Sequence, residues 1–254
     1  MIADPTMSTP TAAPRGQRVL AQARFEAGIL LRNGEQLLVA LVLPALALVA
    51  LVKAPYPDLA EPRVAIVAPG VLALAVVSTA FTGQAIQTAF DRRYGVLRML
   101  ATTPLGTDGL LAGKAVAICL VAAVQLVALG ALAGALGWRP DPVGVLVTPV
   151  TAGLGVWVFV ALALLIAGTL RAEAVLAVAN LVWVLLAGAG GLLLPTQTLG
   201  AASTVVRWLP SGALGDAFRQ SLGAGTVPLS AWLVLVVWGV LLSTAVVRTF
   251  RWRD

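Results

Sequence analysis

The chain has 254 residues, 59% of them hydrophobic and only 11% charged, with a formal charge of +6; an average soluble domain is about 25% charged. So few charges cannot furnish a polar shell, so the bilayer is the solvent and the chain reads as an all-α integral membrane protein. It has no histidine and one cysteine, which excludes imidazole catalysis, histidine-held metal or haem, and any intrachain disulfide.

Residues 1–14, MIADPTMSTPTAAP, are polar and contain neither an apolar h-region nor a cleavage pattern. They predict a disordered cytoplasmic tail in which Met7 is an alternative start. Over 15–36 the spacing becomes helical, with Leu20, Ala23, Ala27 and Leu30 on one face and Arg15, Arg18, Gln22 and Glu26 on another. An interfacial amphipathic helix is expected here, carrying Arg18, Arg24 and Arg32 along the inner membrane surface, either as a plain anchor or as a contact for a partner.

Six apolar runs then follow, at about 37–52, 65–90, 115–137, 143–168, 174–194 and 229–247, each a candidate to cross about 30 Å of hydrocarbon. The first is short, contains Pro44, and is expected to borrow flanking residues such as Leu31 and Ala54. Between the second and third lies 91–114, DRRYGVLRMLATTPLGTDGLLAGK, with six formal charges. Phe90, Tyr94, Leu97 and Ala101 make an apolar stripe opposite Asp91 and Arg98, so the second span should continue into an amphipathic helix bent at Gly95. Thr102 or Thr103 would cap a turn beginning at Pro104, and Thr107–Asp108 would signal the start of the third span. GLLAGKA, 109–115, imitates a phosphate-binding loop, but one residue is missing between its glycines and Ala115 stands where a hydroxyl would hold magnesium. Lys114 is read instead as a snorkelling anchor.

Polar residues inside the spans are Ser78, Thr82, Gln84, Gln87 and Thr88 in the second, Gln125 in the third and Asn180 in the fifth. They either line a substrate pathway or stitch helices together. Gln84, Gln87, Thr88 and Asp91 share a face, which suggests a wet surface at one end of the second span. Gly130 with Gly134, and Gly188, Gly190 and Gly191, predict close helix packing or a dimer seam. Between spans five and six, Leu214, Phe218 and Leu222 lie on one face and Asp216 and Arg219 off it, giving short re-entrant or interfacial outer helices. Trp138, Trp208 and Trp232 fall near the outer boundary and Trp252 near the inner one, while Trp157, Trp183 and Trp238 read as buried.

Six spans put both termini on one side. That side holds Arg15, Arg18, Arg24, Arg32, Arg92, Arg93, Arg98, Lys114, Arg171, Arg248, Arg251 and Arg253; the other holds Lys53, Arg63, Arg139, Arg207 and Arg219. The positive-inside rule therefore places both termini and residues 91–114 in the cytoplasm, and the basic balance reports topology, not nucleic-acid binding.

Together these features resemble the type-2 permeases of ATP-binding cassette (ABC) exporters, including drug-resistance permeases of the daunorubicin-exporter kind. LLRNGEQLLVALVLPALAL, with Arg32 to Pro44 at its heart, is similar to that family's approach to its first membrane helix. FDRRYGVLRMLATTPLGTDGLLAGK is similar to its cytoplasmic loop, in Asp91, Arg92, Gly95, Leu97, Arg98, Met99, Leu100, Thr103, Pro104, Leu105, Gly113 and Lys114. Asp91 departs from the Glu of many members. Pro210 and Arg219 match a recurrent Pro and Arg of the outer helices.

The resemblance implies that Asp91, Arg92, Arg93, Gly95, Leu97, Arg98, Leu100, Thr103 and Pro104 couple the chain to a separate ATP-hydrolysing subunit, present in two copies. ATP and magnesium would reside there, with no cofactor on this chain. It further implies a half-permease that dimerises with itself or a paralogue in the plasma membrane, amid its lipids, and exports cargo. The scarcity of deep charges favours an apolar or amphipathic cargo such as a drug or lipid. An ion-coupled secondary transporter, a membrane-embedded enzyme and an accessory subunit without a pathway are the alternatives.

Overall fold

A computed structural model describes residues 13–32, 34–54 and 61–251, and residues 1–12 of the tail and Trp252 lie outside them. The described residues form helices and no strands. In chain order these are α1 (Arg15–Arg32), α2 (Gly34–Lys53), α3 (Arg63–Val77), α4 (Gln84–Arg93), α5 (Val96–Leu100), α6 (Gly106–Ala135), α7 (Pro142–Thr169), α8 (Ala172–Gly188), α9 (Ser203–Val206), α10 (Pro210–Ala224) and α11 (Leu229–Thr249). A π-helical turn, Ser78–Gly83, joins α3 to α4 without a break. A 3₁₀ turn, Thr196–Ala202, precedes α9.

Among the described residues, four helices are long and apolar enough to cross a membrane: the joined Arg63–Arg93, then α6, α7 and α11. Two shorter apolar helices, Ala40–Lys53 within α2 and α8, accompany them. Arg63–Arg93 is 78% buried over its apolar window, against 33% for α6 and 28% for α11, so the first is central and the other two turn broad faces outward. α7 packs against α3, α4, α6, α10 and α11, and its Val156, Phe159, Val160 and Leu164 are wholly buried.

Local chemistry sets several boundaries. Asp141 caps α7 by accepting from the amides of Val143 (2.8 Å) and Gly144 (3.4 Å), with Pro142 at the first helical position. Pro44 has no N–H, which leaves the Ala40 carbonyl without its helical donor. The Gln125 side-chain amide of α6 supplies one at 2.9 Å, while its carbonyl accepts from Thr79 Oγ1 at 3.0 Å. Gln125 thus holds α2, the π turn and α6 together.

The third span's helix begins at Gly106, ahead of the apolar run at 115 and at the Thr107–Asp108 signal, because Gly106 (φ 73°) ends the preceding loop and Asp108 occupies the first helical turn. Two sequence expectations are corrected. The fifth ends at Gly188, not 194; Gly191 (φ 75°) turns the chain, and Arg219 donates to the carbonyls of Gly191 (2.9 Å) and Leu192. Gly130 and Gly134 do not seat a neighbouring helix of this chain, since no described residue lies within 4 Å of a Cβ at either position, which leaves the dimer seam as the reading of that pair. Gly190 and Gly191 do make close packing, against Ser211 and Gly212 of α10.

Candidate functional site

The stretch between α4 and α6 presents most of its polar side chains, together with Tyr94 and Met99, to the exterior. Gly95 adopts φ 80°, ψ 5°, a left-handed conformation open to glycine at little cost, and this breaks α4 from α5. Gly95→Ala is expected to cost about 1 kcal/mol, read as a lower unfolding midpoint and faster proteolysis within 93–108. Arg93, Tyr94, Arg98, Met99, Thr103 and Pro104 are exposed, Leu100 is half-buried, and Leu97 is wholly buried as the pin of α5. Tyr94 stacks on Phe90 with ring centroids 5.9 Å apart. Thr102 and Thr103 do not cap a following turn. Their hydroxyls donate backwards to the carbonyls of Met99 (2.7 Å) and Leu100 (2.6 Å), closing α5.

Beneath this exposed loop is a buried charge cluster that joins its two ends. Lys114 of α6 has no exposed side-chain surface, so it is not a snorkelling anchor. Its Nζ lies 2.8 Å from Glu26 Oε1 of α1 and 3.8 Å from Asp91 Oδ2 of α4. Gln22 Nε2 donates to Glu26 Oε1 (2.9 Å), Gln87 Nε2 to Glu26 Oε2 (3.2 Å), and Gln84 Nε2 to Gln87 Oε1 (3.3 Å). Two residues of the face of α1 read as polar, Gln22 and Glu26, therefore turn inward. Gln22 and Glu26 are buried with Ala23, Ala27 and Leu30, while Leu20, Phe25 and Ile29 stay exposed. Arg24 and Arg32 are exposed, and Arg18 is half-buried. Arg15 pairs with Asp108, adding a surface tie between α1 and α6.

Arg92 points inward. It donates to the carbonyls of Ala167 (2.7 Å) and Leu170 at the C-terminal end of α7, where the last turn leaves acceptors without helical donors. The Arg251 amide donates to the Gly168 carbonyl (3.1 Å) of the same turn, and Arg93 pairs with Glu173 of α8.

The residues read as pathway candidates divide. Ser78, Thr82 and Asn180 line a cavity of about 440 Å³ with Leu30, Pro44 and Trp183, between α2, the π turn, α6 and α8. Ser78 Oγ donates to the Leu74 carbonyl (2.8 Å) and accepts from Trp183 Nε1 (2.8 Å). Asn180 Nδ2 donates to the Leu176 carbonyl (2.9 Å). Gln84 and Gln87 belong instead to the charge cluster, and the Thr88 hydroxyl is buried without a partner among the described residues. Trp157 and Trp232 are half-buried, with their N–H groups on Ser243 and Thr151 (each 3.0 Å), and Trp238 donates to the Trp208 carbonyl (2.8 Å). In the outer segment Asp216 accepts from Thr196 Oγ1 (2.6 Å) and lies 3.5 Å from Arg219 Nη1.

Glu26 is the functional candidate that sequence reasoning missed. A lone glutamate four residues after a glutamine, on a helix otherwise rich in Arg, was the available signal.

Compared with known proteins, residues 19–222 match a family model described as ABC-2 type transporter. The match runs from α1 through the loop and the cavity to the end of α10. No curated protein matches the chain.

Proposed function

The chain belongs to the ABC-2 type transporter family, and on that footing we propose that it is a six-span half-permease exporting an apolar or amphipathic, drug-like or lipid-like compound. It is a multi-pass, non-catalytic transmembrane subunit, and such permeases generally pair with separate ATP-binding subunits. In this reading two copies, or one copy and a paralogue, assemble with two ATPase subunits in the plasma membrane, both termini in the cytoplasm.

One observation carries the proposal: an exposed loop rooted in a buried charge cluster. Arg93, Arg98, Tyr94 and Met99 offer a docking surface, while Lys114 at one end of the loop pairs with Asp91 at the other and with Glu26 of α1. Closure of the ATPase subunits would displace the loop and carry α1, α4 and α6 with it. The cavity holding Ser78, Thr82 and Asn180 supports a mostly apolar cargo, since no charged side chain among the described residues lines it.

Buried carboxylates are also found in ion-coupled carriers, but those bind at mid-membrane between repeated halves. Here Asp91 lies two residues from the end of α4, beside the loop, and Glu26 lies on α1, which is not among the helices long and apolar enough to cross a membrane.

Arg98→Glu is the test. In the complex purified with its ATPase, the variant chain should assemble normally while transport-coupled ATP hydrolysis falls at least about tenfold, the effect of reversing one central interface charge. Transport by the purified chain on an ion gradient, with no ATPase present, would refute the proposal.

A further inference from the structure

Between α6 and α7 is a cleft of about 470 Å³ that the transport reading leaves unused. One wall is the α6 stripe from Cys119 to Gly130, the other the α7 stripe from Val145 to Val156, and Leu72 and Leu222 form the floor. Both helices are long and apolar enough to cross a membrane. Val127 and Val145 on the rim are exposed, so the cleft opens sideways to hydrocarbon. Each wall covers eleven residue steps, about 16 Å, close to half of a hydrocarbon layer about 30 Å thick. The cleft begins at the α6–α7 turn and stops near mid-membrane, the depth of one leaflet.

Gly130 and Gly153 line it with nothing within 4 Å of a would-be Cβ. Glycine weakens a helix interior, and no neighbouring helix of this chain uses the room it leaves. At the mouth, Trp138 is largely buried, but its indole N–H stays accessible and bonds no protein group among the described residues. Arg139 beside it is exposed and pairs with no carboxylate there; the nearby Asp141 is engaged by the Val143 and Gly144 amides.

We propose that this cleft is a binding site for one acyl chain of an anionic phospholipid, with the headgroup phosphate held by Arg139 and the Trp138 N–H. The inference needs only that α6 and α7 cross the membrane, so it stands or falls independently of the transported cargo.

Native mass spectrometry of the full chain, extracted in mild detergent and exchanged with phosphatidylglycerol or phosphatidylcholine, tests it. One phospholipid per chain should be retained, with phosphatidylglycerol preferred about fivefold, the effect of one basic residue at an anionic headgroup. Gly153→Leu fills the cleft and should remove the bound mass. Val127→Trp, on the exposed rim, should lower occupancy without disturbing buried packing, which keeps the test decisive if Gly153→Leu does not fold. Arg139→Gln should keep the lipid and erase the preference. Maleimide labelling of Cys119, the single cysteine, should slow when lipid is bound. A chain that retains no phospholipid, or equal occupancy in wild type and both cleft variants, overturns the proposal. So does loss of a chain dimer on filling the cleft with lipid retention unchanged, which assigns the cleft to a second copy.

Discussion

Lys114→Met lowers the stability of the chain by about 3 kcal/mol or more, seen as an unfolding midpoint about 10 °C lower in detergent. The substitution conserves side-chain volume, so packing is nearly undisturbed. What changes is charge: Glu26, 3% exposed, and Asp91, 25% exposed, lose their shared cation. A buried carboxylate without a counter-charge must be expelled, hydrated or protonated, and each route costs more than the ion pair contributed when intact. The companion variant decides the cause. Lys114→Met combined with Glu26→Gln and Asp91→Asn removes both signs together, and should recover most of the lost midpoint. If Lys114→Met alone melts like the parent, the cluster is hydrated and does not fasten the loop.

Gly144→Leu has an effect of similar size by a different mechanism. A Cβ at Gly144 overlaps the Ser221 carbonyl and stands 2.8 Å from Leu222 Cα. All of these are backbone atoms of α10, so no rotamer change relieves the clash. α7 and α10 must separate, which also stretches the 2.9 Å bond from the Asp141 amide to the Leu222 carbonyl. A loss of about 3 kcal/mol is expected, with proteolysis appearing between 220 and 228. Val143→Leu, one position earlier at an exposed site, is the control and should leave the midpoint unchanged.

Much of the helical architecture was legible because the apolar runs are long and the few charges fall between them. Asp141–Pro142, a cap followed by a first-turn proline, lay unread just before the 143–168 run. The polar partnerships were not legible. Glu26 and Gln22 have the spacing of a solvated face, and only the arrival of Lys114 from another helix makes that face the buried one. Lys114 at the end of an apolar run has the sequence signature of a snorkelling anchor whether or not a carboxylate waits beside it. Gly130 and Gly134 illustrate the same limit for packing, since small residues at i and i+4 permit a close neighbour and equally permit a void. Gln125, one of the polar residues within the spans, turns out to repair the carbonyl that Pro44 frees. A proline in one helix and an amide in another can be matched only once their separation in space is known.

The end of α7 where Arg92 donates has a mechanical consequence. Arg92 from α4 and the Arg251 amide from the segment after α11 grip the same last turn, while Arg93 braces Glu173 at the start of α8. Four helix ends are therefore lashed at a single point, a few residues from the loop that reaches outward. A load applied to that loop does not bend one helix in isolation. It is shared by a stiff plate made of α4, α7, α8 and α11, whose far edges, not its lashed corner, have the freedom to swing.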